Sequence, residues 1–235
     1  MLNAQESSTS NVANQVWLDF NARWKFSKQF ELRGKVGAKT IFPNEWNKFY
    51  TTAEISYWIP KFRFKKVQYD ERVYFGIDFY SVYFNEGPNV IEISPYQGYT
   101  QTWPKLKRFI MLNNFELGQR FQWDVEEWNY SFGLKLSYEA SMIFKFHGDV
   151  WKHGKGFFLS ASAKFWWNLI ATTVFNDVLR ITPGIGYQIN PKWKTAFYIG
   201  YNLTRNQTVD KYQTNNIIYR LRVYYTIPNN KNKNK

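Results

Sequence analysis

The chain has no cysteine, which excludes a disulfide framework, a thiol nucleophile and thiolate metal ligands. It also has no run of about 18 apolar residues, the length that a transmembrane helix requires. Its two histidines, His147 and His153, lie in one predicted loop. Neither Gly-x-Ser-x-Gly nor His-Glu-x-x-His occurs, so the sequence lacks these two hydrolase signatures.

Aromatic residues are abundant, with 11 Trp, 17 Tyr and 21 Phe, yet the mean hydropathy of −0.52 is hydrophilic. A soluble globule with so many rings would normally carry more Leu, Ile and Val. Strands that alternate between an aromatic-rich outer face and a polar inner face account for both values.

The segment 216–227 shows this alternation most clearly. One set of alternate residues is apolar or aromatic: Ile217, Tyr219, Leu221, Val223, Tyr225 and Ile227. The other set includes Arg220 and Arg222. A period of two places each set on its own side of a β-strand. At about 3.3 Å per residue and a tilt near 40°, such a strand spans roughly the hydrocarbon layer of a bilayer.

The same period recurs along the chain and predicts further strands at 16–26, 30–42, 49–59, 73–84, 109–123, 128–144, 157–167, 179–189 and 193–203. The segments 61–70 and 89–103 are ambiguous, and Pro95 and Gly98 interrupt the second of them. The segment 168–178 and the polar segment 205–214 are predicted loops.

These patterns predict an all-β fold, a closed antiparallel transmembrane β-barrel of about 10–12 strands, because closure removes exposed sheet edges. Residues 1–15 are predicted to be a flexible lead-in that includes a candidate remnant of a signal peptide, residues 16–227 the barrel, and residues 228–235 a disordered basic tail. We expect an export signal that lies upstream or has been removed, and a location in the bacterial outer membrane.

Charged residues on the inner faces of the strands are predicted to form a lumen network: Arg33, Glu54, Asp78, Glu116, Arg120, Lys135, Glu139, Lys164, Arg220 and Arg222. Because unpaired charges are costly in a low dielectric, we expect ion pairs that fill a narrow barrel. The alternative is an open lumen whose basic excess favours anions. A structural role and a narrow, pore-like role therefore both remain.

The net charge of +13 also raises the possibility of nucleic-acid binding. The basic residues alternate into one face of many strands and form no single patch, which argues against this class of partner. A soluble β-sandwich that binds carbohydrate through its aromatic residues is an alternative, and it would need no detergent.

An enzyme is a further alternative. His147 and His153, with Asp149 between them and Trp151 nearby, are candidates for the base of an outer-membrane lipid hydrolase or acyltransferase, or for a surface metal site. Two solvated loop histidines are the simpler interpretation, and we predict no catalytic residue, metal or cofactor.

The chain resembles a family of bacterial outer-membrane β-barrels known only as a domain of unknown function. The resemblance rests on Trp17, on 116–121 (ELGQRF), on 180–187 (RITPGIGY) running into 190–193 (NPKW), and on the final strand. It covers most of 16–227 and implies an outer-membrane barrel without an assigned activity. Many such barrels end on an aromatic residue, whereas here a basic tail follows Tyr225.

The expected partners are the lipid bilayer, the outer-membrane assembly machinery and lipopolysaccharide. Arg205 and Lys211, in the predicted loop before the last strand, are the candidates for contact with lipopolysaccharide phosphates. No small solute is identified by the sequence.

Overall fold

The computed structural model describes residues 12–42, 46–60, 70–146, 154–170, 175–206 and 211–228. These residues form eleven strands: β1 (Val12–Trp24), β2 (Phe30–Phe42), β3 (Trp46–Trp58), β4 (Asp70–Phe84), β5 (Val90–Lys105), β6 (Phe109–Asp124), β7 (Tyr130–Lys145), β8 (Gly156–Asn168), β9 (Asp177–Gln188), β10 (Trp193–Asn206) and β11 (Lys211–Ile227). Among the described residues, no helix is long and apolar enough to cross a membrane.

The strands close into one barrel in which each strand pairs with its neighbours in sequence and β1 pairs with β11. The predicted all-β barrel of 10–12 strands is thus confirmed. Every pair of consecutive strands is antiparallel, but the closing pair is parallel and aligns Trp17 with Arg220. The parallel closure follows from the odd number of strands, because the first and last strands of an up-and-down barrel of eleven run in the same direction.

Several strands extend further than the sequence predicts. The ambiguous segment 89–103 is the regular strand β5 of 16 residues. Pro95 pairs with Ile77 of β4, and the pairing with β6 is interrupted between Ile93 and Tyr96, so the missing N–H is confined to one edge of the strand. β10 reaches Asn206 and β11 begins at Lys211, so most of the predicted loop 205–214 is strand. β1 begins at Val12, four residues before the predicted barrel boundary.

The exterior is apolar and the interior is polar. Phe75 and Leu221, which point outward, are 62% and 44% exposed, whereas Glu31 and Asp19, which point inward, are 3% and 5% exposed. This distribution is the reverse of that in a water-soluble protein, where large apolar side chains are mostly buried. The predicted division of the strand faces is therefore present around the barrel.

Tyrosine rings lie along the inner wall where the neighbouring strand has glycine. Tyr74 is opposite Gly98, and Tyr96 is opposite Gly76. A Cβ atom on either glycine would come within 2.2 Å of the facing ring. Because glycine lets each ring lie close to the sheet, the bulk of these residues stays on the wall. The arrangement keeps space open inside the barrel.

Candidate lumen site

The described residues line two large cavities inside the barrel, each with a volume of about 590 Å³. They share several lining residues, Arg33 and Glu54 among them, so they abut inside the lumen. Eleven basic and five acidic side chains line the first cavity, and seven basic and one acidic side chain line the second. The open space is therefore surrounded by an excess of positive charge.

All ten residues of the predicted lumen network line the first cavity. Several of them form ion pairs. Arg33 and Arg72 approach the Glu54 carboxylate at 3.7 and 3.1 Å, and Lys164 lies 3.7 Å from Glu116 and 3.8 Å from Glu139. Three other members pair with acids outside the predicted network: Arg120 with Glu92, and both Arg220 and Arg222 with Asp19. The paired charges lie along the wall and leave the two cavities between them.

Asp78 is held by hydroxyl groups. The Thr52 hydroxyl donates to one carboxylate oxygen at 2.5 Å, and the Tyr80 hydroxyl donates to the other at 2.8 Å. Lys135 has no carboxylate within ion-pair distance among the described residues. The first cavity thus contains both neutralised and unneutralised charges.

Other charged residues of the lumen are absent from the predicted network, among them Asp19, Lys39, Lys48, Arg72, Glu92 and Arg180. Glu92 receives two hydrogen bonds from Arg120, at 2.9 and 2.6 Å. Glu92 lies between Ile91 and Ile93, an apolar–polar–apolar alternation that indicates a strand, but Pro95 and Gly98 interrupt the pattern and make the strand hard to predict. Arg72 lies just before the predicted start of β4, so a strand boundary placed one residue early would have included it.

Asp19 connects the first and last strands of the barrel. Its carboxylate, on β1, accepts hydrogen bonds from Arg220 and from Arg222 of β11, the second at 3.0 Å. The Asp19 side chain is fully buried, and the two arginine side chains are 12% and 21% exposed. One acid therefore neutralises two cations across the parallel closure.

Several lumen cations face aromatic rings in place of carboxylates. The Lys39 ammonium lies 4.1 Å from the centre of the Trp17 ring, and the Lys48 ammonium lies 3.8 Å from that of Tyr80. The Arg180 guanidinium carbon is 4.6 Å from both the Trp17 and Trp166 rings. Aromatic faces attract cations through their quadrupoles, but an aromatic ring has no net charge and therefore does not neutralise the cation.

The ends of the barrel differ in charge. Rim A, where β1 begins, includes the turns 85–89 and 125–129; rim B, where β1 ends, includes the turns 25–29, 106–108 and 189–192. Among the described residues, rim A carries Arg205, Lys211 and five acidic residues: Glu86, Asp124, Glu126, Glu127 and Asp177. The described part of rim B carries Asp70, Glu71 and seven basic residues: Lys25, Lys28, Lys105, Lys107, Arg108, Lys155 and Lys192.

The two histidine candidates, His147 and His153, lie outside the described residues, as do Asp149 and Trp151. Within the part of the chain that the structure describes, no group of three or more His, Asp or Glu side chains is placed to hold a metal ion. The structure therefore adds no argument for the lipid enzyme or the surface metal site, the two alternatives that depend on these histidines.

Comparison with protein-family models, with curated proteins and with solved structures finds no match to this chain. The resemblance to an outer-membrane family therefore stays a prediction.

Proposed function

We propose that this protein is a β-barrel of the bacterial outer membrane whose narrow, basic lumen admits small anionic solutes. The proposal depends on the excess of basic over acidic side chains, eleven to five and seven to one, around the two cavities. Positive charge along a confined path raises the local concentration of anions and opposes the entry of cations. Eleven strands also enclose more space than the eight that side chains alone fill.

The exterior supports insertion into a bilayer. The strands contain 12 to 17 residues, which at about 3.3 Å per residue and a tilt near 40° span about 30–43 Å, enough to cross the hydrocarbon layer of a bilayer. Consecutive outward residues of β4, Phe75, Ile77 and Phe79, are 62%, 46% and 41% exposed. An apolar surface that continues around the barrel favours contact with acyl chains over contact with water.

Conductance measurements test the proposal. The purified protein is reconstituted into planar bilayers that separate two KCl concentrations, and the reversal potential is recorded. We expect discrete channels that prefer chloride. Lys135→Glu should shift the preference towards potassium because Lys135 lines the first cavity, whereas Lys28→Glu, in the turn after β1, should shift it less. The absence of channels, or a preference for potassium in the unmodified protein, would contradict the proposal.

We also propose that rim B faces the outer leaflet, where its basic side chains contact lipopolysaccharide phosphates. This replaces the prediction that Arg205 and Lys211 make that contact, because β10 ends and β11 begins at the acidic rim A, where Arg205 is opposite Asp177. Contact with the outer-membrane assembly machinery stays a prediction.

Since the chain has no cysteine, single-cysteine variants can test the orientation. Lys28→Cys should react with a membrane-impermeant maleimide on intact cells, and Glu127→Cys should react only after the outer membrane is permeabilised. The opposite labelling pattern would reverse the assignment of the rims.

A further inference from the structure

Three cations face the Trp17 ring inside the barrel, Lys39, Arg180 and Arg220, and Lys48 lies beside Lys39. Lys48 is opposite Lys39, Lys39 is opposite Trp17, and Trp17 is opposite Arg220, so these residues form one row across β3, β2, β1 and β11. Arg180 joins the row from β9, with its guanidinium carbon 4.6 Å from the Trp17 ring. All five side chains line the first cavity.

Arg220 is paired with Asp19, but Lys39, Lys48 and Arg180 are poorly compensated by the protein. Like charges directly opposite each other destabilise a sheet, and Lys39 and Lys48 occupy such positions. No carboxylate of the described residues lies within ion-pair distance of either lysine or of Arg180. The Arg180 Nε donates to Asn202 at 2.6 Å, which leaves the terminal nitrogens of Arg180 directed to no acceptor among these residues.

Tyr50 adds a neutral donor to the same part of the wall. Its side chain lines the first cavity and is 6% exposed, yet its hydroxyl has no hydrogen-bond partner among the described residues. The ring lies over Gly37, where a Cβ atom would come within 2.6 Å of it, and 4.8 Å from the Lys39 ammonium. A buried hydroxyl without a partner is costly, so a ligand that accepts its hydrogen bond would be stabilised.

We propose that Lys39, Lys48, Arg180 and Tyr50 form a binding site for a phosphate-class oxyanion. Ammonium, guanidinium and hydroxyl groups are all donors, and charge-assisted hydrogen bonds from such groups to phosphate oxygens are strong. A dianion would also relieve the repulsion between Lys39 and Lys48. The ligand is a small dissolved ion or phosphomonoester, because the donors face the cavity inside the barrel and not the outer surface that bilayer headgroups contact.

Binding of inorganic phosphate to the full chain in detergent tests this site. Thermal unfolding is followed while phosphate is added, and the same ionic strength of KCl serves as the reference. We expect a saturable rise in the unfolding temperature with phosphate alone. Lys39→Met and Arg180→Met should each weaken the phosphate Kd about tenfold, and Tyr50→Phe about threefold.

Two controls make the result decisive. Arg205→Met removes an exposed positive charge from rim A, outside both cavities and away from the basic rim B, and should leave the Kd unchanged. Tyr50→Phe keeps the ring and removes only the hydroxyl, so it remains informative if a charge variant fails to fold. Equal effects of phosphate and chloride, or an unchanged Kd in the three site variants, would overturn the proposal. The assay needs neither a bilayer nor a current, so its outcome is independent of the proposed conduction.

Discussion

The ring of Phe175 lies against Gly133 inside the barrel, where a Cβ atom on the glycine would come within 2.4 Å of it. Phe175 precedes β9 and is 2% exposed, and the guanidinium carbon of Arg120 is 3.9 Å from the centre of its ring. Glu92 in turn holds Arg120 by two hydrogen bonds. The connection between β8 and β9 thus places an aromatic ring in the lumen near rim A.

Removal of this ring should widen the lumen. We expect Phe175→Ala to raise the single-channel conductance by about 1.5-fold or more, since pore diameter limits ion passage. Gly133→Ala should lower the conductance because the new methyl group pushes the ring away from the wall and into the lumen. Phe165→Ala, which removes an outward-facing ring that is 36% exposed, is the matched control. A conductance unchanged by Phe175→Ala would show that the ring does not restrict the path.

The ion pairs of Asp19 are expected to stabilise the closure between β1 and β11. Asp19→Asn keeps the shape of the side chain but leaves Arg220 and Arg222 without a negative partner. Loss of one partner of a buried pair should lower the free energy of unfolding by about 2–4 kcal/mol. Denaturant unfolding of the protein in detergent or vesicles measures the change.

Glu139→Gln is the control for this prediction. Glu139 lies 3.8 Å from Lys164 and its side chain is 31% exposed, so its loss should cost less than about 1 kcal/mol. Similar costs for the two variants would show that the Asp19 cluster has no special role in closure.

The sequence predicts which side chains share a face, because a period of two follows from strand geometry alone. All ten predicted network residues accordingly line one cavity. The ion-pair partner of each side chain is harder to predict from the sequence. Asp19 meets Arg220 only because the barrel closes with β1 beside β11, and Arg120 meets Glu92 through the register between β5 and β6. Both pairings depend on strand number and register, which local periodicity does not specify.

The glycines illustrate the same limit. Gly98 looks like an interruption of β5, yet it is the residue that accommodates Tyr74 of β4. Glycine is required at this position by a ring on the neighbouring strand, so the residue pattern within β5 alone does not explain it. The apparent weakness of 89–103 is therefore a consequence of packing between strands.

Gly98→Ala tests this packing. The added Cβ would come within 2.2 Å of the Tyr74 ring and 2.6 Å of the Phe115 carbonyl oxygen. We expect a loss of about 1–3 kcal/mol in the free energy of unfolding, because the ring must leave a buried position. Gly34→Ala is the matched control, since its nearest atom would be the Thr52 carbonyl oxygen at 3.9 Å. Equal effects on unfolding would show that the facing tyrosine does not require glycine.

A charge on the outer surface tests whether that surface contacts lipid. Ile77 lies at the middle of β4, is 46% exposed and points outward, whereas Tyr83, on the same face, lies next to the end of the strand and is 49% exposed. In a bilayer, Ile77→Arg should cost about 2–4 kcal/mol and Tyr83→Arg only about 0–1 kcal/mol, because the penalty for arginine depends on depth. Folding equilibria in lipid vesicles measure both values. In a water-soluble barrel neither arginine would be desolvated, and the two variants would fold equally well, so equal costs would contradict membrane insertion.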